Sequence, residues 1–185
     1  MSRFAVIDTE TTWNDSVMSI GVAVAESETF KLIDKRYYIL TPFNNHGGMY
    51  TYALYANNIK PDLECSREKA MTELRQFLSD YEVTAMFAYN AAFDCRHLPE
   101  LSHLIWYDIM KLAAYRQHNP RIPHCAECYG TGRLKRGYGV ENVYRMLSGD
   151  MEYCEMHNAL TDAMDELIIM RMLNHELSKY DLARI

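Results

Sequence analysis

The succession of apolar runs predicts a mixed α/β fold, and three features carry that prediction. Three β-rich runs open the chain, strand-like and helix-like periods then alternate, and the last third reads as helix. Arg3 to Asp8 is a short apolar run that ends in acidic and threonine residues, as a buried strand with a polar C-terminal end does. Val17–Ala25 and Phe30–Leu40 continue in the same style, separated by Glu26-Ser27-Glu28, and complete a three-strand antiparallel meander. Ser66–Leu78 has apolar residues at Ala70, Met71, Leu74, Phe77 and Leu78, which is helical spacing, with Ser66 placed as an N-cap. A fourth strand at Thr84–Tyr89, a helix near Ala91–Leu101, a strand at Leu104–Tyr107 and a helix from Asp108 to His118 follow. Helices at Val140–Leu147 and Asn158–Leu177 close the chain.

Length and composition limit what such a fold can do. At 185 residues one domain spanning 1–185 is expected, and 49% hydrophobic residues with only eight glycines and five prolines exclude low-complexity and collagen-like chains. The 19 Lys and Arg against 25 Asp and Glu give a formal charge of −6. That excludes a nucleic-acid coater working by bulk positive charge; an acidic chain holds phosphates only through a local patch or through bound cations, and metals are expected to help if a phosphate polymer is the substrate. Asp8 and Glu10 follow the first apolar run at once, no signal peptide is legible, and no apolar run approaches the ~20 residues of a membrane span. A soluble, cytoplasmic protein with no membrane partner is expected. Five cysteines with no export signal favour thiols or a metal site over disulfides.

Three short motifs carry the chemistry. In Asp8-Thr9-Glu10 the carboxylates are two apart, so on a strand they project from the same face; two such anions are relieved by raised pKa values or by a shared hard cation. Taken alone, the pair also fits solvated residues past a strand end. Asn90-Ala91-Ala92-Phe93-Asp94 follows the fourth strand, with Asn90 at the N-cap position and Asp94 in the first turns of a helix. His157-Asn158-Ala159-Leu160-Thr161-Asp162 opens the last helix, with an imidazole suited to take a proton near neutral pH.

As an ordered set, Asp8-x-Glu10, Asn90-x-x-Phe93-Asp94 and His157-x-x-x-x-Asp162 closely resembles the three motifs of the DnaQ-like (DEDDh) 3′–5′ exonucleases. The resemblance covers nearly the whole chain. It implies a ribonuclease H-like mixed sheet of five strands, three antiparallel and then two parallel, flanked by helices. It implies that Asp8, Glu10, Asp94 and Asp162 hold two Mg²⁺ or Mn²⁺ ions and that His157 is the general base. Hard oxygen donors select those ions over zinc in any case. By motif position it implies that Thr9, Thr11, Asn90 and Phe93 contact the terminal nucleotide. The expected reaction is hydrolysis at the 3′ end of single-stranded DNA, in repair or proofreading, to release nucleoside 5′-monophosphates. An exoribonuclease of the same family is the alternative within the class, and a noncatalytic nucleic-acid-binding module of this fold is the alternative outside it. Relatives work as homodimers or as subunits of larger complexes, and both remain open for this chain.

Other segments lie outside those motifs. Met49, Tyr50, Tyr52 and Tyr55 offer stacking surface for bases or filling for a loop, and Arg133, Lys135 and Arg136 offer either a backbone contact or a solvated loop. Asp108 reads as an N-cap for the helix after it, with support of the residues that hold the metals as the alternative. Residues 119–139 form an insertion in which Cys125-x-x-Cys128-x-Gly130-x-Gly132 resembles one repeat of the zinc-binding region of DnaJ-type chaperones. Structural Zn²⁺ at Cys125 and Cys128 needs further ligands, for which His118, His124, Cys154 or a second chain are the candidates; reduced thiols are the other reading.

Overall fold

The computed structural model describes residues 2–185, so Met1 lies outside the description. The strands are β1 (Arg3–Thr11), β2 (Val17–Glu26), β3 (Leu32–Thr41), β4 (Leu63–Ser66), β5 (Ala85–Ala88) and β6 (Ile105–Asp108). The helices are α1 (Arg67–Asp80), α2 (Ala92–His97), α3 (Met110–Ala113), α4 (Val140–Ser148) and α5 (Ala159–Leu173). The strands form one sheet in the order β4-β3-β2-β1-β5-β6, antiparallel through β3-β2-β1 and parallel at β1-β5-β6 and β3-β4.

Side chains alternate across the sheet and feed two cores. Ala5 and Ile7 of β1 pack with Ala70, Met71, Leu74 and Phe77 of α1 on one face. Phe4 and Val6 pack with Leu167, Ile169, Met170 and Leu173 of α5 on the other. A Cβ at Gly21 of β2 would stand 2.1 Å from the Ala159 carbonyl oxygen, so the absent side chain lets the first turn of α5 rest directly on the sheet. Gly21 pairs with Asp8. This contact sets the start of α5 over the C-terminal end of β1.

The mixed α/β architecture is the expected one, with the N-terminal meander as its centre. A sixth strand, β4, joins the sheet edge beside β3; four residues with two apolar positions are too short to show a period, and pairing with Tyr38–Thr41 orders them. Phe30 lies outside β3, in a turn with φ 55°. The helix near Ala91–Leu101 breaks at Leu98, which precedes Pro99 and leaves the helical region. The helix from Asp108 shrinks to α3 because the Asn119 side chain takes the Ala113 carbonyl at 2.7 Å and the Leu134 amide takes that of Ala114. α5 stops at Asn174, in the left-handed conformation, short of Leu177. Among the described residues no helix is long and apolar enough to cross a membrane.

Candidate metal centre and active site

The alternation that sends Phe4 and Val6 toward α5 sends Asp8 and Glu10 the same way, and Thr9 the other way. Thr9 donates its hydroxyl to Asp94 Oδ1 at 2.7 Å, which joins β1 to the first turn of α2. Asp162 enters from the first turn of α5, where a carboxylate also meets the positive end of the helix dipole. Three elements remote in sequence thus bring four carboxylates to one cleft of about 510 Å³. His157 and the four residues from the family motif positions, Thr9, Thr11, Asn90 and Phe93, line it as well. Donor atoms of Glu10, His157 and Asp162 lie within 4.8 Å of one another.

Crowding these acids in the core raises their affinity for protons. Burial, followed by the charges of Asp94, Glu166, Asp162 and Glu10, pushes Asp8 well above the carboxylate range. Glu10 is pushed up to about 9 by burial and by Asp162, Glu155 and Asp94. Asp162 rises to about 8, chiefly by burial and then by Glu155 and Asp165. Asp94 rises only to about 7, because hydrogen bonds led by the one from Thr9 oppose its burial. Asp8 Oδ2 and Asp162 Oδ1 are sealed from solvent without a hydrogen-bond partner. Unpartnered buried oxygens beside further anions, all hard donors, fit a divalent cation better than any group this chain supplies.

Two left-handed residues aim the site. Asn90 has φ 62° and His157 φ 56°. Before and at Asn90, two successive amides are taken by carboxylates from different elements: Tyr89 N–H donates to Glu166 of α5 at 3.0 Å, and Asn90 N–H to Asp108 of β6 at 3.0 Å. At the other motif, Asn158 Oδ1 caps α5 by accepting from Thr161 N–H, while its amide donates to the Ala53 carbonyl at 2.9 Å and to the Tyr37 hydroxyl at 3.0 Å. That anchor ties the loop of residues 47–55 to the start of α5, and Tyr50 stacks on His157 with centroids 3.9 Å apart. Burial holds the His157 imidazole below its ordinary value and so favours its neutral form, against the opposing charge of Glu141.

Several expectations need correction. Asn90 is not the N-cap of α2; it is exposed, in the left-handed turn, and Ala91 holds the cap position without a side-chain bond. Asp108 does accept from the Met110 amide, as an N-capping carboxylate would, but the same oxygen also fixes the Asn90 turn. Of the four loop candidates, Met49 and Tyr50 reach the cleft, whereas Tyr52 points to solvent and Tyr55 bonds Glu64. Arg133, Lys135 and Arg136 do not line it. No third His, Cys, Asp or Glu among the described residues groups with Cys125 and Cys128 into a metal-binding set; Cys125 is exposed, and the segment closes through backbone bonds such as Tyr129 N–H to the Arg133 carbonyl at 2.8 Å.

Other lining residues escaped sequence reasoning. Trp13, 69% exposed, and Tyr89 sit on the rim and wall, and Glu155 adds a carboxylate that burial raises to about 7. Glu166 lies behind the four carboxylates, 2% exposed. Its signal was present: an acid four residues after Asp162, on a helical face otherwise made of Ala159, Ala163, Leu167 and Met170.

No protein-family model and no curated protein matches the chain. Solved structures do. The nuclease domain of 3′hExo, a DEDDh family member bound to rAMP, aligns over 100% of this chain and 96% of its own at TM-score 0.67 and 14% identity. Exonuclease X in complex with 5′-overhanging duplex DNA aligns over 97% and 98% at TM-score 0.59 and 19% identity. E. coli Exonuclease I with a 5cy-dT13 oligonucleotide aligns over 98% of this chain but 42% of its own, at TM-score 0.64 and 12% identity. The sheet and its flanking helices therefore share the fold of these solved nucleases.

Proposed function

We propose that this protein is a metal-dependent 3′–5′ exonuclease that hydrolyses the terminal phosphodiester bond of a single-stranded DNA or RNA and releases a nucleoside 5′-monophosphate. One observation carries the reading: Asp8, Glu10, Asp94 and Asp162 converge from β1, α2 and α5 on one cleft, beside the His157 imidazole, with buried carboxylate oxygens unpartnered. A noncatalytic module has no use for so costly an arrangement.

Asp8, Glu10, Asp94 and Asp162 would hold two Mg²⁺ or Mn²⁺ ions, which supply charge neutralisation to an in-line displacement at phosphorus. The rest belongs to the chain. His157, held against Tyr50, takes the proton of the attacking water. Thr9 keeps Asp94 oriented, and Thr11, Asn90 and Phe93 border the place of the terminal nucleotide. Structures of this fold with bound rAMP, duplex DNA and an oligonucleotide support nucleic acid as the substrate class.

Matched 5′-labelled DNA and RNA single strands, incubated with Mn²⁺ or Mg²⁺, should shorten stepwise from the 3′ end, and the faster of the two identifies the sugar preference. Full-length strands persisting with either metal would overturn the reading. His157→Ala should bind Mn²⁺ as the wild type does and lose ~10²–10⁴-fold in rate, as removal of a general base does; an unchanged rate would exclude it as the base.

A further inference from the structure

The segment between α3 and α4 departs most from the motif-bearing core, and it is built as a rigid arm. Tyr129 N–H donates to the Arg133 carbonyl at 2.8 Å, Gly132 N–H to the Tyr129 carbonyl at 2.9 Å and Lys135 N–H to the Glu127 carbonyl at 2.9 Å, so a tight turn closes at Gly130–Gly132. The stem holds that turn from below. Arg116 N–H donates to the Gly132 carbonyl at 3.0 Å, and the Gln117 side chain donates to the Thr131 carbonyl at 3.1 Å. Gly132 sits at φ 86°, a left-handed conformation that L side chains rarely adopt.

On this arm the Arg133 guanidinium lies 5.0 Å from the Tyr129 ring centroid and 5.2 Å from that of Tyr138. Both rings face solvent, at 48% and 40% exposure. Lys135 and Arg136 stand exposed between them in sequence. Planar aromatic and guanidinium groups next to exposed cations stack bases and neutralise phosphates without reading sequence, and here Arg136 stands beside a Lys135 ammonium that lies 3.9 Å from the Glu127 carboxylate. The arm also joins the cleft: the Tyr89 hydroxyl, on the cleft wall, donates to the Tyr138 carbonyl, and the next two residues, Gly139 and Val140, line the cleft itself.

We propose that Tyr129, Arg133 and Tyr138 form a stacking platform for single-stranded nucleic acid, engaging nucleotides 5′ of the one held in the cleft. The inference rests on the exonuclease reading for the identity of the strand. The arm supplies a local positive surface on a chain whose overall charge is −6. Its preformed geometry limits the ordering cost of binding. A protein partner fits it less well, because the apolar residue of the turn, Leu134, is buried and leaves no continuous apolar surface.

Fluorescence anisotropy with dT20 and rU20, in Ca²⁺ to prevent cutting, tests the platform without relying on catalysis. Tyr129→Ala should weaken binding about tenfold, within the range for loss of one stacked base. Arg133→Lys, which keeps the charge and loses the plane, should also weaken it, while Lys31→Ala, in the turn at the far end of the sheet, should not. Melting curves verify folding, and Arg133→Lys keeps the question open to measurement if Tyr129→Ala unfolds. Unchanged affinity in both arm variants overturns the platform. A separate assay follows the p-nitrophenyl ester of thymidine 5′-monophosphate, too short to reach the arm. If wild-type protein does not hydrolyse it or a labelled strand, the exonuclease reading falls, whereas the platform stands or falls on the anisotropy alone.

Discussion

The end of β1 and the 119–139 segment both carry short motifs of metal-binding chemistry, and the fold treats them in opposite ways. Asp8 and Glu10 are carried into the core and joined there by Asp94 and Asp162 from other elements, with oxygens left unpartnered. Cys125 is exposed and Cys128 half-buried beside a turn whose shape is closed by backbone hydrogen bonds. A motif becomes a site when the tertiary structure desolvates its donors and adds others. The carboxylates meet that condition, whereas Cys125 and Cys128 gather no third donor among the described residues.

The largest effect should come from breaking the first region. Asp8→Asn should abolish nuclease activity while stabilising the protein in EDTA, because a buried acid among acids is replaced by an uncharged isostere. A gain of about 1 kcal/mol would raise Tm by roughly 2–4 °C for a chain of this size. An active variant, or one with a lower Tm in EDTA, contradicts the comparison.

Next is Glu166, which supports the site through the Tyr89 amide. Glu166→Leu removes that acceptor and should lower kcat ~10–100-fold, the usual scale for a partner that orients a metal ligand's surroundings. Glu166→Gln keeps an acceptor oxygen and should remain within a few-fold of wild type. Equal losses in the two variants would show that charge, not the hydrogen bond, is what the position supplies.

A smaller effect lies in pH. Glu10, Asp162 and Asp94 have folded values of about 9, 8 and 7, above their ordinary values near 4. Between those limits the folded chain binds more protons than the unfolded one, so metal-free stability is full below pH 4 as far as these groups are concerned and is lost as pH rises toward 9. Thermal melts in EDTA should give a falling Tm from pH 5 to pH 9, and Mn²⁺ should recover most of the loss at the alkaline end. A Tm that rises with pH in EDTA contradicts the shared-cation account.

The smallest effect is expected in the 119–139 segment. With the turn closed by main-chain bonds, Cys125→Ser with Cys128→Ser should move Tm by less than about 2 °C and leave the single-strand affinity unchanged. A large loss in Tm together with zinc in the purified wild type would make this region a metal site after all.

What was legible in the sequence follows its periods and spacings. The β1 run, the meander, the α1 stripe and the residues of the three motifs could all be read, because alternation and helical spacing are local properties. The strand β4 and the shortened α3 could not, since a long-range ladder and the Asn119 side chain decide them. Glu166 was readable in principle as an acid on an apolar helical face, but its partner amide at Tyr89 is 77 residues away.

The sequence by itself determined which residue types the site can contain, and their order. Only the tertiary structure decided that they share a cleft, that Asn90 and His157 turn left-handed to face it, and that Gly21 lets α5 settle close enough to bring Asp162 beside Glu10. The reason is physical. Backbone preference and apolar period act over a few residues, whereas desolvation and like-charge crowding arise only when distant segments are packed together.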